Sequence, residues 1–262
     1  MFANYHTHTA RCHHATGEDK AYVEAAIQNG FQVLGFSDHC PWIFSDGYVS
    51  PIRMTPDELD GYVTSLTALK KEYAADITIY IGLESEYVPE MLPEQQKFLQ
   101  DYPIDYQILG EHFLYPEQRG IYTGRPTDNT AELKHYVDQV IAGMETGNYL
   151  YLAHPDLFHF IGDPACYEQE FRRLCVYLKE KQIPIEINQL GFADHRQYPN
   201  PAFLKIAESV GNTAIIGCDA HHPSALLDTD SQQACKKLAE QYHLPLVEVF
   251  PVSYTHLTLP TT

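Results

Sequence analysis

The chain has 262 residues, 44% of them hydrophobic, which is enough for a full core and within the length that an α/β barrel spans as one domain. Its formal net charge of −18, from 17 Lys and Arg against 35 Asp and Glu, leaves no basic track for a phosphate backbone, so nucleic acid is not expected as the main partner. No run approaches the roughly 20 apolar residues of a membrane span, and no basic segment followed by an apolar one opens the chain, so a cytoplasmic protein without a membrane partner is expected. The cysteines (Cys12, Cys40, Cys166, Cys175, Cys218, Cys235) are scattered without C-x-x-C spacing, which fits free thiols better than bridges.

In chain order, the short run Phe2–Tyr5 reads as a strand that delivers His6 and His8. Residues two apart on a strand share a face, so both imidazoles can reach one cation. His13 and His14 follow in the loop. Residues 18–29 read as a helix stopped by Gly30, and residues 31–36 as a buried strand running into Ser37-Asp38-His39. Thr55-Pro56-Asp57-Glu58 has the composition of a capping box with proline at the first position, and Leu59, Tyr62, Val63, Leu66, Leu69 and Tyr73 recur at helical spacing. Residues 77–83 form a β-rich run that ends in Glu84. The alternation continues with a strand at 106–109 before Gly110-Glu111-His112, a helix at 130–146, and a strand at 149–153 before His154-Pro155. A helix at 167–181 precedes a strand at 183–187 and Asn188. A helix at 201–210 precedes a strand at 213–217 and then Asp219-Ala220-His221. A helix at 224–242 leads to a last strand at 246–250. Residues 251–262 carry no charge and no clear period and read as a tail outside a single domain of residues 1–250.

Strands alternating with helices over the whole length predict βαβ units around a parallel sheet, most simply a closed barrel. His6 and His8, His39, Glu84, His112, His154, and Asp219 with His221 each end a predicted strand or follow it at once. In a parallel barrel the C-terminal strand ends share one rim, and the rim carries the active site. Histidine and carboxylate delivered from so many strand ends to one rim predict a metal centre.

Asn4–Thr9 (NYHTHT), Ser37–His39 (SDH), Gly82–Glu84 (GLE), Gly110–His112 (GEH), Ala153–Pro155 (AHP) and Gly217–His221 (GCDAH) resemble, as an ordered series, the PHP (polymerase and histidinol phosphatase) family. Ser37–Pro41 (SDHCP), Pro51–Met54 (PIRM) and Glu186–Asn188 (EIN) resemble its histidinol-phosphate phosphatases in particular. The resemblance implies a distorted TIM-like (β/α)7 barrel with three divalent ions at the C-terminal strand ends, one strand fewer than the pattern itself counts if 246–250 is included. It implies that His6, His8, Glu84 and Asp219 hold the first ion. Glu84 would bridge to a second, completed by His112 and His154, and His14, His39 and His221 would hold the third. His14 is preferred to His13 by the family's spacing after His8. Imidazole and carboxylate without thiolate suit Zn, Mn or Fe better than Ca or Mg alone.

Clustered cations suit a small-molecule phosphate ester, because they lower the pKa of a bound water and neutralise the phosphoryl oxygens. The expected activity is hydrolysis of L-histidinol phosphate, with a phosphotyrosine or nucleotide ester as the alternative and an inactive structural PHP module as a further one. Glu84 and Asp219 are expected at the reacting centre, with Asp38 assisting proton transfer or orienting a ligand. No protein nucleophile is convincing. Cys166-x5-Arg172 lacks the glycines of a phosphatase loop, and Asp228-Thr229-Asp230 follows no strand of adequate length. Arg196 is the first candidate for the phosphate, with Arg53 and Arg125 also in rim loops. Glu111 is a candidate for a substrate ammonium, and His195, His159 and His222 are further candidates for substrate contact.

Overall fold

The computed structural model describes residues 1–250 and Val252, so the expected tail of residues 251–262 lies, but for that one residue, outside the described residues. The chain packs as two compact units.

The first unit takes Met1–Ile108 and Cys218–Thr229, with Val249, Phe250 and Val252. It opens on β1 (Ala3–Asn4), followed by α1 (Asp19–Gln28), β2 (Val33–His39), α2 (Leu59–Glu72), β3 (Thr78–Ser85), α3 (Leu92–Leu99) and most of β4 (Tyr106–Leu109). The strands form one sheet in the order β1-β2-β3-β4, with β1–β2 and β2–β3 parallel. The β2–β3 register pairs Val33 with Thr78 and, six residues on, His39 with Glu84, so these two side chains leave neighbouring strand ends together. Both strands are buried along almost their whole length, as expected of parallel strands covered on two faces. The capping box at Thr55 is present: Thr55 N donates to Glu58 Oε2 at 2.8 Å, and a 3-10 turn at Pro56–Glu58 leads into α2. Leu59, Tyr62, Val63, Leu66 and Leu69 of α2 then join Tyr22, Val23 and Ala26 of α1 in a core with Leu34, Phe36, Ile79, Ile81 and Leu83.

Tyr106 fills the space that two glycines leave. Its hydroxyl donates to the carbonyls of Tyr5 (2.7 Å) and Phe36 (3.0 Å), and a Cβ at Gly82 or Gly35 would stand 2.4 or 2.3 Å from the tyrosine.

The second unit takes Leu109–Gly217 and Asp230–Glu248. Its helices are α4 (Thr130–Glu145), α5 (Pro164–Glu180), α6 (Gln189–Ala193), α7 (Pro201–Val210) and most of α8 (Thr229–Gln241); its strands β5 (Ile185–Asn188) and β6 (Ala214–Gly217) pair in parallel. Helix starts follow the sequence chemistry. Asn129, Asp163 and Asn200 cap α4, α5 and α7 by accepting from the backbone two residues on, and proline occupies the first turn of α5 and α7.

Four sequence expectations change. Residues 149–153 are no strand: Leu152 makes single parallel bridges to Leu109 and Ile185, the first through Leu109 N donating to Tyr151 O at 3.0 Å and Ala153 N donating to Leu109 O at 2.8 Å. Residues 246–250 likewise reduce to one bridge, Ala214 to Leu246. The helix expected at 224–242 is broken into a 3-10 turn, Pro223–Leu227, and α8. Two helices, α3 and α6, lie where the sequence reading placed none.

Candidate metal centre

The N-terminal strand and the Asp219 loop are joined within the first unit by a bridge of two hydrogen bonds. His8 N donates to Ala220 O at 3.0 Å and Ala220 N to His6 O at 3.3 Å. A parallel pairing in which residue 220 bonds to residues 6 and 8 sets Asp219 and His221 beside His6 and His8. Asn4 fixes the geometry. Its amide donates to Thr7 Oγ1 at 2.7 Å and to His6 O at 3.1 Å, while its oxygen accepts from Cys218 N at 2.8 Å. The sequence reading used Asn4 only as the first residue of the NYHTHT motif and gave it no role of its own.

Four buried donor atoms converge. His6 Nε2 lies 3.4 Å from both Glu84 Oε2 and Asp219 Oδ1, and His8 Nε2 lies 3.4 Å from Glu84 Oε2 and 3.1 Å from Asp219 Oδ1. Ligand atoms on a tetrahedral zinc at about 2.1 Å lie roughly 3.4 Å apart. The spacing therefore fits a shared ion. Neither His8 ring nitrogen makes a hydrogen bond of ordinary geometry, although the residue is fully buried. A buried imidazole placed against carboxylates without an ordinary hydrogen bond is costly unless a cation joins them.

The electrostatics agree. Burial opposes a charge on His8, but the carboxylates of Asp219 and Asp38 outweigh it and hold its pKa well above the ordinary value. Burial likewise opposes ionisation of Asp219, and the neighbouring His6 and His8 outweigh it and hold its carboxyl well below the usual range. His221 moves the other way: burial and then the charge on His8 push it down to about 3. The pocket is thus a strong sink for positive charge. Asp219 adopts φ +50°, a left-handed conformation that a non-glycine residue takes only where its surroundings enforce it.

A second set adjoins the first. His14, His39 and His221 each present a ring nitrogen within 4.8 Å of the others, with His14 Nε2 and His221 Nε2 2.9 Å apart. His39 Nδ1 is 3.3 Å from Glu84 Oε2, so one carboxylate faces both sets. Of the adjacent histidines, His14 joins this group while His13, at φ +66°, turns to Glu58 at 3.4 Å. Asp38 is wholly buried. It accepts from Thr9 Oγ1, from Thr9 N at 3.2 Å and from His39 N at 2.8 Å, and its other approach is to His8 Nδ1 at 3.4 Å.

In the second unit, His112 and His154 pair with ring centroids 5.0 Å apart. His154 has φ +27° and is held by Glu186, whose carboxylate accepts from His154 N at 2.9 Å, Asn188 Nδ2 at 2.9 Å and Tyr151 Oη at 3.2 Å. Glu186 is a site-building residue that sequence reading used only as part of a motif. Gly217 makes room for it, since a Cβ there would stand 1.8 Å from Glu186.

The expected substrate contacts fare less uniformly. Arg53 is fully buried, paired in fork geometry with Glu86 at 2.8 and 2.9 Å, and it donates to Cys40 O at 3.1 Å. This pairing ties the loop after β2 to the end of β3. Arg125 pairs with Glu132 at 2.9 Å, and Arg196 pairs with Asp194 at 2.8 Å and donates to Tyr198 Oη at 3.1 Å. Glu111 is buried, His159 half-buried and His195 exposed, all in the second unit. His222, in the first, caps the 3-10 turn by accepting from Ser224 N at 3.1 Å.

Comparison with known proteins bears on this arrangement. The PHP domain family model matches residues 4–190. The chain belongs to the PHP family. A Deinococcus radiodurans protein named "Probable histidinol-phosphatase" is 28% identical over 83% of this PHP chain and 85% of its own length. The Bacillus subtilis histidinol-phosphatase is 34% identical over 42% of this chain and 43% of its own length. The structure of a Lactococcus lactis histidinol phosphate phosphatase, complexed with Zn, L-histidinol and phosphate, matches 94% of this chain and 95% of its own with TM-score 0.72 at 19% identity. The chain therefore has the mixed α/β, TIM-like fold of that family. Among the described residues, no helix is long and apolar enough to cross a membrane.

Proposed function

We propose that this PHP protein is a metal-dependent phosphomonoesterase that hydrolyses L-histidinol phosphate to L-histidinol and phosphate. The observation that carries the chemistry is the convergence of His6, His8, Glu84 and Asp219 at ion-sharing distances. The names of the relatives, and the ligands of the Lactococcus protein, support the choice of substrate. The family match runs through residues of both units, which supports reading residues 1–250 as one domain.

Three divalent ions are proposed: one on His6, His8, Glu84 and Asp219, one on His14, His39 and His221, and one on the His112–His154 pair. Bound there, such ions supply Lewis acidity toward water and the phosphoryl oxygens. The chain's own residues prepare this chemistry. Asp38, with Oδ1 3.4 Å from His8 Nδ1, orients the His8 ring so that Nε2 faces Glu84 and Asp219. Thr9 and the His39 amide fix Asp38 in turn. Glu186 does the same for the strained backbone of His154. Arg196 remains the candidate for the phosphate and Glu111 for the substrate ammonium, and the acidic chain favours a substrate whose organic part is cationic.

The test is removal and return of metal. Protein stripped with a chelator should release no phosphate from L-histidinol phosphate, and Zn or Mn should restore turnover. Full activity in the metal-free protein would overturn the proposal.

A further inference from the structure

Cys12 is wholly buried at the end of a 3-10 turn, Ala10–Cys12, that carries the chain from His8 to His14. Its carbonyl accepts from His14 Nδ1 at 2.7 Å, which leaves His14 Nε2 to face His221 Nε2 at 2.9 Å. Its sulfur, a ring nitrogen of His8 and one of His221 all lie within 4.8 Å of one another. The thiol is therefore not an isolated core cysteine but the third member of a group with His8 and His221, and His221 is shared with the His14–His39–His221 group. Independently of it, His14, His39 and His221 present ring nitrogens within 4.8 Å of one another, a group that can hold a cation, with His14 Nε2 and His221 Nε2 at 2.9 Å.

We propose that Cys12 is a thiolate ligand of the ion held through His221, which makes that position a mixed imidazole–thiolate site. This rests on the metal-centre reading above. The sequence gives no hint of it, since Cys12 lacks a cysteine partner at metal-binding spacing. The turn brings the sulfur in. Thr9 caps the turn, accepting from Arg11 N, and His13 closes it in the left-handed region at φ +66°, so the backbone folds back and aims residue 12 inward while residue 13 points out. A thiolate changes what the position can do. Soft sulfur favours zinc over manganese or magnesium, and its charge weakens the ion's Lewis acidity. The ion near Cys12 is then a fixed, zinc-selective member, distinct from the all-imidazole-and-carboxylate position on His6, His8, Glu84 and Asp219.

Cobalt(II) loading of the full chain tests this without reference to turnover. Visible d–d absorption reports that cobalt has bound, and a near-ultraviolet sulfur-to-cobalt charge-transfer band reports a thiolate among its ligands. The wild-type protein should show both. Cys12→Ser should keep the d–d bands and the far-ultraviolet circular dichroism, lose the charge-transfer band, and retain one zinc equivalent fewer after dialysis against a competing chelator. X-ray absorption of the zinc-loaded wild type should resolve a sulfur shell at about 2.3 Å, a measurement that needs no variant to fold. Cobalt d–d bands without a charge-transfer band in the wild type, or a band that survives in Cys12→Ser, would overturn the thiolate assignment and leave the metal centre standing. Failure to take up any cobalt would overturn both.

Discussion

Asp38 shows how much of the site's behaviour is set one shell behind the donors. Its Oδ1 faces His8 Nδ1 at 3.4 Å while Thr9 and His39 hold the carboxylate still. Asp38→Asn keeps the shape but loses the negative charge that favours an Nδ1–H on His8. Metal affinity should fall about 10–100-fold, read by competition with a chromophoric chelator; unchanged affinity would remove Asp38 from the positioning role. Asp156 makes a different kind of prediction. Burial, with the nearby Glu186 charge adding to it and the Asn200 amide opposing it, pushes its carboxyl up to about 7. The folded state therefore keeps a proton that the unfolded chain releases above about pH 4. Stability from this group is full below that pH and is lost as pH rises toward 7. In metal-free protein, wild type should lose stability relative to Asp156→Asn between pH 5 and 7, on the order of 1 kcal/mol per pH unit, with no further change above 7. Parallel denaturation curves at both pH values would contradict this. At this scale the histidines were legible in the sequence because each follows a strand-like run. Asn4, Glu186 and the Arg53–Glu86 pair were not, because their partners are distant in sequence or join backbone groups that no motif reveals.

Elements place the donors more than any single contact does. The β2–β3 register sets His39 opposite Glu84, and the bridge at Thr7–Ala220 sets the first histidines beside Asp219. Both depend on strands close enough to keep those bonds, and Tyr106 sits at Gly35 and Gly82 where the strands carry no side chain. Gly82→Ala would put a methyl 2.4 Å from the Tyr106 ring, and overpacking of that kind costs about 1–3 kcal/mol. Its thermal midpoint should drop, and Gly82→Ala combined with Tyr106→Phe should not restore it, since the clash is with ring carbons. Periodicity recovered α1, α2, α4 and α7 nearly to the residue. It failed at 149–153, where a β-rich run of apolar residues is compatible with extended chain but the ladder forms at Leu152 alone. It also failed at α3, whose run Leu92–Leu99 buries only Gln95 and Leu99 and so carries little helical period.

For the whole molecule, the charge of −18 is in part a consequence of function. Carboxylates gathered around a cation sink count against net charge until ions bind, and the same field attracts a cationic alcohol portion of a substrate. Family membership and fold were legible from six short motifs, because metal ligands at strand ends constrain residue type and order. The histidinol-phosphatase reading was legible too, from SDHCP, PIRM and EIN, and the names of the relatives agree with it. The individual substrate contacts were not, because they depend on how loop side chains pair in three dimensions, as Arg53 does with Glu86. The most direct test of the central claim is kcat/KM for zinc- or manganese-loaded protein on L-histidinol phosphate, phosphotyrosine and a 3′-tailed oligonucleotide. L-histidinol phosphate should be preferred by orders of magnitude; a higher kcat/KM for phosphotyrosine or the oligonucleotide would contradict the proposed function.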